Sequence, residues 1–279
     1  MINIFRLVIV ACGRAGPAHA LGQAPESPKP KRKPIVSKPV RLTPPPTKPK
    51  PVPSSGAAKT PKPPPKPALK VFQRKREKLN FIGGDRVILV GDGLIEQAQK
   101  HGYLEYRITV QNSGKKLYFH NIGWSGDTPA GIARDGLGTR QAGHEPANEG
   151  WLQLSRQIAD IKPTVAIIGY GMASTLDGST LEQFKSDYQR LVAHIKASAG
   201  KKNRMRLVFM TPIAHENLGG KLPSGEAHNA ILEKYREVIG DMAKEHDAWF
   251  VDLYRYLKRR KGSTTPALTV DGIHLTDYG

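Results

Sequence analysis

The 279-residue chain consists of two parts that differ in composition, and nearly all of its net positive charge lies in the first. Lysine and arginine outnumber aspartate and glutamate by 18 to 2 in residues 1–80, but only by 25 to 22 in residues 81–279. The single cysteine, Cys12, excludes an internal disulfide, a cysteine metal site and a thiol nucleophile in the second part. No run of about 18 apolar residues follows the first 20 residues, which argues against a transmembrane span.

Residues 1–20 have the pattern of an export signal. A charged start at Arg6 precedes the apolar run Leu7–Ala11, and Ala18-His19-Ala20 fits a small-residue cleavage site. We therefore predict a signal peptide over residues 1–20 and an exported protein, located in the periplasm, the cell envelope or the medium. Two alternatives stay open. They are a disordered cytosolic start and a lipid anchor on Cys12, because Ile9-Val-Ala-Cys12 resembles a bacterial lipoprotein box.

Residues 21–80 cannot form a hydrophobic core, because proline and lysine dominate them. Of the 23 prolines in the chain, 17 precede residue 70. Proline favours extended polyproline II structure and like charges extend it further, so we predict a disordered, semi-rigid linker. Its lysines either keep a solvated tether soluble or bind an anionic polymer of the cell envelope. Specific nucleic-acid binding is disfavoured, since no aromatic residue for base stacking lies between Phe5 and Phe72.

From residue 81 onwards, predicted strands alternate with predicted helices. The strands are Arg86–Val90, Leu117–Ile122, Thr164–Ile168, Arg206–Met210 and Trp249–Asp252. Helical spacing of apolar residues occurs from Leu94 to about Val110 with a break near Gly102, at Leu154, Ile158 and Ile161, at Phe184, Tyr188, Leu191 and Ile195, and at Ile231, Tyr235, Val238 and Met242. Ser179 and Glu182 form a predicted capping box for the third of these helices. The alternation predicts one α/β domain over residues 81–279, with an essentially parallel five-stranded sheet covered on both faces.

Residues able to do chemistry follow the predicted strands. Ligands of parallel α/β sheets bind beyond the carboxyl ends of the strands, so Gly91-Asp92-Gly93 marks one edge of a predicted site. Near the end of the chain, Asp271 and His274 lie three residues apart around Gly272. This spacing lets a carboxylate hold an imidazole in one tautomer, while the other ring nitrogen faces a nucleophile or water.

These segments resemble the sequence blocks of the SGNH, or GDSL-type, hydrolases, which include esterases, lipases and carbohydrate deacetylases. The first block of that family, Gly-Asp-Ser-Leu, resembles Gly91 to Leu94, and the second resembles Asn121 to Thr128. The third block, Gly-x-Asn-Asp, is kept only at Gly171 within Gly171 to Ser174, whereas the fifth block matches Asp271 to Thr276 in full. The resemblance spans residues 83–279 and implies a flavodoxin-like three-layer α/β/α sandwich.

The resemblance also implies roles for individual residues. It makes His274 the catalytic base, Asp271 its orienting acid, and the N–H groups of Gly93 and Gly126 donors to an oxyanion. Two departures affect the chemistry, because Gly93 replaces the family's nucleophilic serine and Ala173 replaces its asparagine. Loss of a triad nucleophile usually costs ~10⁶ in rate, and loss of one oxyanion donor costs ~10² to 10³.

Three interpretations remain open. In the first, which we take as the leading prediction, the chain hydrolyses a small acyl ester or an acylated carbohydrate. His274 then activates water directly, or Ser125, Thr128 or Ser174 supplies a substitute hydroxyl. In the second, the site binds an acyl or sugar ligand without cleaving it, and Trp124 offers a stacking face. In the third, the domain is a structural relic on an envelope tether.

Three further residues, Asp92, Gly171 and His215, are predicted to lie at the pocket. We predict no cofactor and no metal site, because the histidines lack the spacing of a metal motif such as His-Glu-x-x-His. Nucleotide binding is disfavoured, since no Gly-x-Gly-x-x-Gly turn precedes a helix. Family members usually continue past the fifth block into a further helix, so we also expect that the chain is truncated after Gly279.

Overall fold

A computed structural model of the protein describes residues 77–134, 148–199, 205–260 and 266–279. The predicted signal peptide, and the predicted linker as far as residue 76, lie outside these ranges. Among the helices within them, none combines the length and the apolar character needed to cross a membrane.

In the described ranges, five parallel strands form a single sheet, as predicted. The strands are β1 (Arg86–Gly91), β2 (Tyr118–Asn121), β3 (Val165–Gly169), β4 (Arg206–Met210) and β5 (Trp249–Val251). Their order across the sheet is β2-β1-β3-β4-β5, and each neighbouring pair is parallel. β1 and β3 are apolar and buried almost throughout, as central strands of parallel sheets are. The chain order reverses between β1 and β3, so the crevice beyond their carboxyl ends is the expected ligand site.

Helices cover both faces of the sheet. They are α1 (Gly93–His101), α2 (Tyr103–Gln111), α3 (Glu149–Ile161), α4 (Leu181–Ser198), α5 (Glu226–Glu245) and α6 (Leu253–Lys258). Because side chains alternate along a strand, β1 contributes to two cores. Ile88 and Val90 pack with residues of α3, α4 and α5, whereas Val87 and Leu89 pack with residues of α1 and α2. The predicted three-layer α/β/α sandwich is therefore confirmed.

One local prediction about the helices is wrong, and one residue with the predicted helical spacing lies outside the buried stripe of its helix. The N-cap of α4 is Thr180 rather than Ser179, because the Thr180 hydroxyl accepts the N–H of Gln183 at 3.1 Å. The Ser179 hydroxyl instead donates to Asp177 at 2.9 Å. In α5, Ile231 is 44% exposed rather than buried. The buried stripe of that helix passes through the neighbouring Leu232, and continues through Tyr235, Ile239 and Met242.

Glycine at position 91 lets the ends of β1 and β3 approach each other closely. Gly91 is the register partner of Gly169, and a Cβ added to Gly91 would overlap the carbonyl oxygen of Gly169 and Cγ1 of Ile95. Ile95 is 1% exposed on α1, so it has little room to move aside. The close contact thus holds the first turn of α1 next to the loop that follows β3.

We expect Gly91→Ala to lower the free energy of unfolding by about 3 kcal/mol, the upper part of the usual range for an overpacked core. Urea denaturation followed by circular dichroism would measure the loss. Gly83→Ala is a matched control, because no atom lies within 4 Å of the added methyl group there. The control should change stability by less than about 0.5 kcal/mol. Equal stability of the two variants would contradict the close-contact explanation.

Candidate active site

Asp271 and His274 form a hydrogen-bonded pair in the loop that ends the described chain. Nδ1 of His274 lies 2.7 Å from Oδ2 of Asp271, and the N–H groups of His274 and Ile273 donate to Oδ1 at 2.9 and 3.1 Å. Burial opposes ionisation of this carboxyl group. The bonds from the His274 ring and the two N–H groups outweigh it and lower the pKa of Asp271 to about 2. The ionised carboxylate can only accept, so Nδ1 carries the proton and Nε2 presents a lone pair.

The lone pair of His274 Nε2 faces Gly93. A Cβ placed on Gly93 would lie 3.6 Å from Nε2 of His274 and 3.4 Å from Oγ of Ser125, without a close overlap. The structure therefore brings together four segments that are far apart in the chain: the β1–α1 turn, the loop after β2, the loop after β3, and the Asp271–His274 turn. A side chain or small molecule next to Gly93 would contact both the imidazole and the Ser125 hydroxyl.

Two backbone N–H groups at the same place are available for an anion or a carbonyl oxygen. Gly93 is the first residue of α1, where N–H groups have no partner inside the helix. Gly126 adopts a positive φ of 76° in the loop after β2, which suits glycine. Within the described ranges, neither N–H donates to a protein acceptor. The positive end of the α1 dipole adds to the attraction for negative charge.

The carboxylate of Asp92 joins the β1–α1 turn to the loop after β3. Its Oδ2 accepts the N–H groups of Gly171, Met172 and Ala173 at 3.1, 2.9 and 3.3 Å, while Oδ1 caps α1 through Leu94 at 3.4 Å. Asp92 is 2% exposed. Burial raises its pKa to about 6, although the four N–H donors act in the opposite direction. Gly171 and Ala173 therefore have a structural contact at the site through their backbones.

The loop that carries the histidine is held by Glu216, which directly follows His215 in the loop after β4. The Glu216 carboxylate accepts the N–H of Leu268 at 3.3 Å and both the N–H and the hydroxyl of Thr269, at 2.8 and 2.6 Å. Its own N–H donates to the carbonyl of Gly272 at 2.9 Å. These contacts span more than 50 residues of chain, so neither spacing nor periodicity could predict them.

His215 does not line the pocket but lies behind the same loop. Its Nδ1 is 3.0 Å from Nδ1 of His228, whose Nε2 is 2.6 Å from Oγ1 of Thr175. Since that hydroxyl donates to the carbonyl of Met172, Nε2 of His228 must donate to Thr175 and His215 must donate to His228. Burial, and then the neighbouring His215, lower the pKa of His228. Through His228 on α5, this hydrogen-bonded chain joins His215 in the loop after β4 to Thr175 in the loop after β3.

The remaining predicted residues have different surroundings. Trp124 is 40% exposed, with the Arg134 guanidinium 5.7 Å from its ring. Thr128 is buried and its hydroxyl accepts the N–H of Ala130 at 3.3 Å. Ser174 is buried, and its hydroxyl finds no partner in the described ranges. The structure therefore places neither Thr128 nor Ser174 at Gly93, whereas it does place Ser125 there.

Asp127 is a structural residue that the sequence also left unassigned. It is completely buried and accepts from Nε of Arg134 at 2.8 Å and from the hydroxyl of Tyr170 at 3.0 Å. Arg134 also donates to the carbonyl of Ile122 at 2.6 Å. This buried ion pair fixes the loop after β2, so that Gly126 is presented to the pocket. The feature of the sequence that could have drawn attention to Asp127 is its position directly after Gly126.

The pocket at this edge has a volume of about 230 Å³. Its lining residues are Asp92, Gly93, Leu94, Gly126, Met172, Ala173, Leu176, Pro212, Ile213, Ile273 and His274. Seven of them have apolar side chains, and the polar groups gather around His274 and the two glycines. Such a pocket can hold a small apolar group with its polar end at the imidazole. Among the described residues, no three His, Cys, Asp or Glu side chains cluster to hold a metal ion.

A parallel α/β sandwich with an Asp–His pair and free N–H groups beyond its central strands has the architecture found in α/β hydrolases. Residues 89–279 match the GDSL-like lipase/acylhydrolase family, and the chain belongs to that family. The resemblance seen in the sequence is thus confirmed. No curated protein matches the chain.

Solved structures of two other proteins share the fold. One is a catalytic mutant of Axe2, an acetylxylan esterase from Geobacillus stearothermophilus, with 14% identity and a TM-score of 0.54, covering 71% of this chain and 90% of that one. Another is LAE5, an alpha/beta hydrolase enzyme from the metagenome of Lake Arreo, Spain, with 15% identity and a TM-score of 0.53, covering 70% and 89%. At these identities the similarity shows the fold alone.

The raised pKa of Asp92 gives a prediction for stability. The pKa of about 6 in the folded state exceeds the ordinary 3.8, so between pH 4 and 6 the folded protein keeps a proton that the unfolded chain loses. Stability therefore falls as pH rises through this window, by up to about 3 kcal/mol from this group. Asp92→Asn cannot titrate, so its free energy of unfolding should rise relative to the native protein by about that amount between pH 4 and 7.

Urea unfolding at pH 4, 5, 6 and 7 would measure this difference. The slope with pH is informative even if the amide changes the stability by a constant amount. Asp160→Asn, at an exposed position on α3, serves as a control whose difference from the native protein should stay constant. A constant difference for Asp92→Asn as well would contradict the prediction.

Proposed function

We propose that the chain hydrolyses small acyl esters, with His274 as the general base and Asp271 as the acid that orients it. The observation that carries the proposal is the position of Nε2 of His274, 3.6 Å from the Cβ site of residue 93, beside two N–H groups without protein acceptors. A nucleophilic oxygen next to Gly93 would lie within reach of this nitrogen. An ester carbonyl oxygen in the pocket would accept from Gly93 and Gly126.

In the proposed reaction, His274 takes one proton from the nucleophile and returns it to the leaving alcohol. The nucleophilic oxygen gives its proton to Nε2 of His274 and attacks the acyl carbon, and the N–H groups of Gly93 and Gly126 stabilise the resulting oxyanion. The carboxylate of Asp271 stabilises the imidazolium ion. The oxyanion then collapses, the bond to the leaving alcohol oxygen breaks, and Nε2 returns the proton to that oxygen.

The pocket supports a short acyl group as the substrate's acid part. Its volume of about 230 Å³ and its apolar side chains suit an acetyl group or a somewhat longer chain better than a charged one. A carbohydrate as the alcohol part is supported by the exposed ring of Trp124, since sugars stack on aromatic faces. The acetylxylan esterase activity in the name of the Axe2 structure points the same way.

A second candidate function is that of a non-catalytic acyl- or sugar-binding domain. It is favoured by one observation, namely that residue 93 has no side chain to form a covalent intermediate. The pocket and its two N–H donors would still bind a carbonyl or carboxylate group. Residues 1–80 would then tether this binding domain to the cell envelope.

For the rest of the chain we propose export directed by residues 1–20, and a lysine- and proline-rich linker over residues 21–80. The linker would tether the domain of residues 81–279 at the envelope, where anionic polymers are its proposed partners. Lipid modification of Cys12 remains the alternative form of attachment.

A comparison of three proteins tests the proposed activity. The turnover of short p-nitrophenyl esters and acetylated xylo-oligosaccharides would be measured for the native protein, His274→Ala and Gly93→Ser. We expect native turnover that falls ~10² to 10⁴ in His274→Ala, the usual contribution of a general base. Turnover that appears only in Gly93→Ser would favour the binding domain, and no turnover in any of the three would favour the relic.

A further inference from the structure

The hydrogen bonds of Ser125 determine what it presents to the space next to Gly93. Its hydroxyl donates to Oε2 of Glu96, and its N–H donates to the same oxygen at 3.1 Å. A serine hydroxyl has one proton, so Oγ has only lone pairs left for other partners. Glu96 lies one turn after Gly93 in α1, which is why its carboxylate reaches the loop after β2.

His274 presents the same kind of group from the other side. Its Nδ1 proton is bonded to the ionised Asp271, so Nε2 is an acceptor as well. Both acceptors, Oγ of Ser125 and Nε2 of His274, lie within 3.6 Å of the Cβ site of residue 93. The complementary occupant is a small molecule with two O–H donors and a free oxygen lone pair, which describes water.

We propose that Ser125 and His274 together hold and orient the hydrolytic water, and that the ester is cleaved without a covalent acyl-enzyme. This inference rests on the proposed esterase function. The water donates one O–H to Nε2 of His274 and the other to Oγ of Ser125, so an oxygen lone pair is directed at the acyl carbon. His274 removes the first proton as the new C–O bond forms. The N–H groups of Gly93 and Gly126 receive the oxyanion, and the proton then passes to the leaving alcohol.

In this arrangement, glycine at position 93 leaves room for the water. A side chain there would lie between the two acceptors and displace the water, as the family's serine would. Ser125 itself is a poorer nucleophile in this geometry, because its proton is bonded to Glu96 rather than to the base. Glu96 is accordingly a positioning residue, which turns the Ser125 proton away from the water.

Kinetics of four variants test this role of Ser125. We expect Ser125→Ala to lower kcat about 10- to 100-fold, with little change in KM, because the base and the pocket remain. Glu96→Gln should lower kcat less, since an amide can still bond the hydroxyl. The double variant should be no slower than Ser125→Ala alone, because Glu96 acts through Ser125. Ser155→Ala, whose hydroxyl donates to Leu152 on α3, is the control and should leave kcat unchanged.

A covalent probe separates water from serine as the nucleophile. An alkyl fluorophosphonate reacts with activated serines, and the mass of the intact protein reports the adduct. We expect no adduct and no pre-steady-state burst for the native protein, but both for Gly93→Ser, which places a hydroxyl beside His274. An adduct on Ser125, or a loss of 10⁴ or more in Ser125→Ala, would overturn the proposal and make Ser125 the nucleophile.

Two other outcomes distinguish this inference from the proposed function. Native turnover that requires His274 but is unchanged in Ser125→Ala would overturn the water-holding role and leave the esterase intact. Absence of turnover in the native protein, with turnover in Gly93→Ser, would overturn both.

Discussion

The buried carboxylate of Asp92 is the interaction on which the site depends. It caps α1 and at the same time receives three consecutive N–H groups from the loop after β3, so it connects the two sides of the crevice where the strand order reverses. The N–H groups of Gly171, Met172 and Ala173 lie outside the strands and α-helices, so Asp92 takes the place of a backbone acceptor. Keeping such N–H groups unpaired inside the protein would cost about 1–3 kcal/mol each, which explains why a costly buried carboxyl group is retained. Gly93, which directly follows Asp92, lines the pocket beside this junction.

The fold could be predicted because its signals are local. The apolar runs of β1 and β3 each end at a glycine, and a segment with helical spacing follows each of them. A parallel sheet covered by helices is nearly the only way to bury two such strands. The Asp271–His274 pair was also visible, since both residues lie within one turn. The capping residue of α4 was missed by one position, because serine and threonine both cap helices and only the geometry of the preceding turn decides between Ser179 and Thr180.

The contacts that hold the site rigid could not be predicted, because they join segments that are remote in the chain. Glu216 follows β4 and binds the backbone of Leu268 and Thr269, and its sequence neighbourhood resembles any polar loop. The same is true of the hydrogen bond between His215 and His228, which becomes meaningful only when α5 packs beside the loop after β4. Ser125 was one of three equivalent hydroxyls in the sequence. Only the fold distinguishes Ser125 from Thr128 and Ser174, because it brings the Ser125 hydroxyl next to Gly93.

Two sets of contacts hold the loops around Gly93. The base loop is held by Glu216 and the loop after β2 by the buried pair of Asp127 and Arg134, whose charges cost free energy to bury. Both sets of contacts involve segments that lie outside the strands and α-helices. Their effect is to place a histidine nitrogen and two N–H groups around one small volume. Glycine at position 93, where the family has serine, leaves that volume open, because no side chain fills the space between His274 and Ser125.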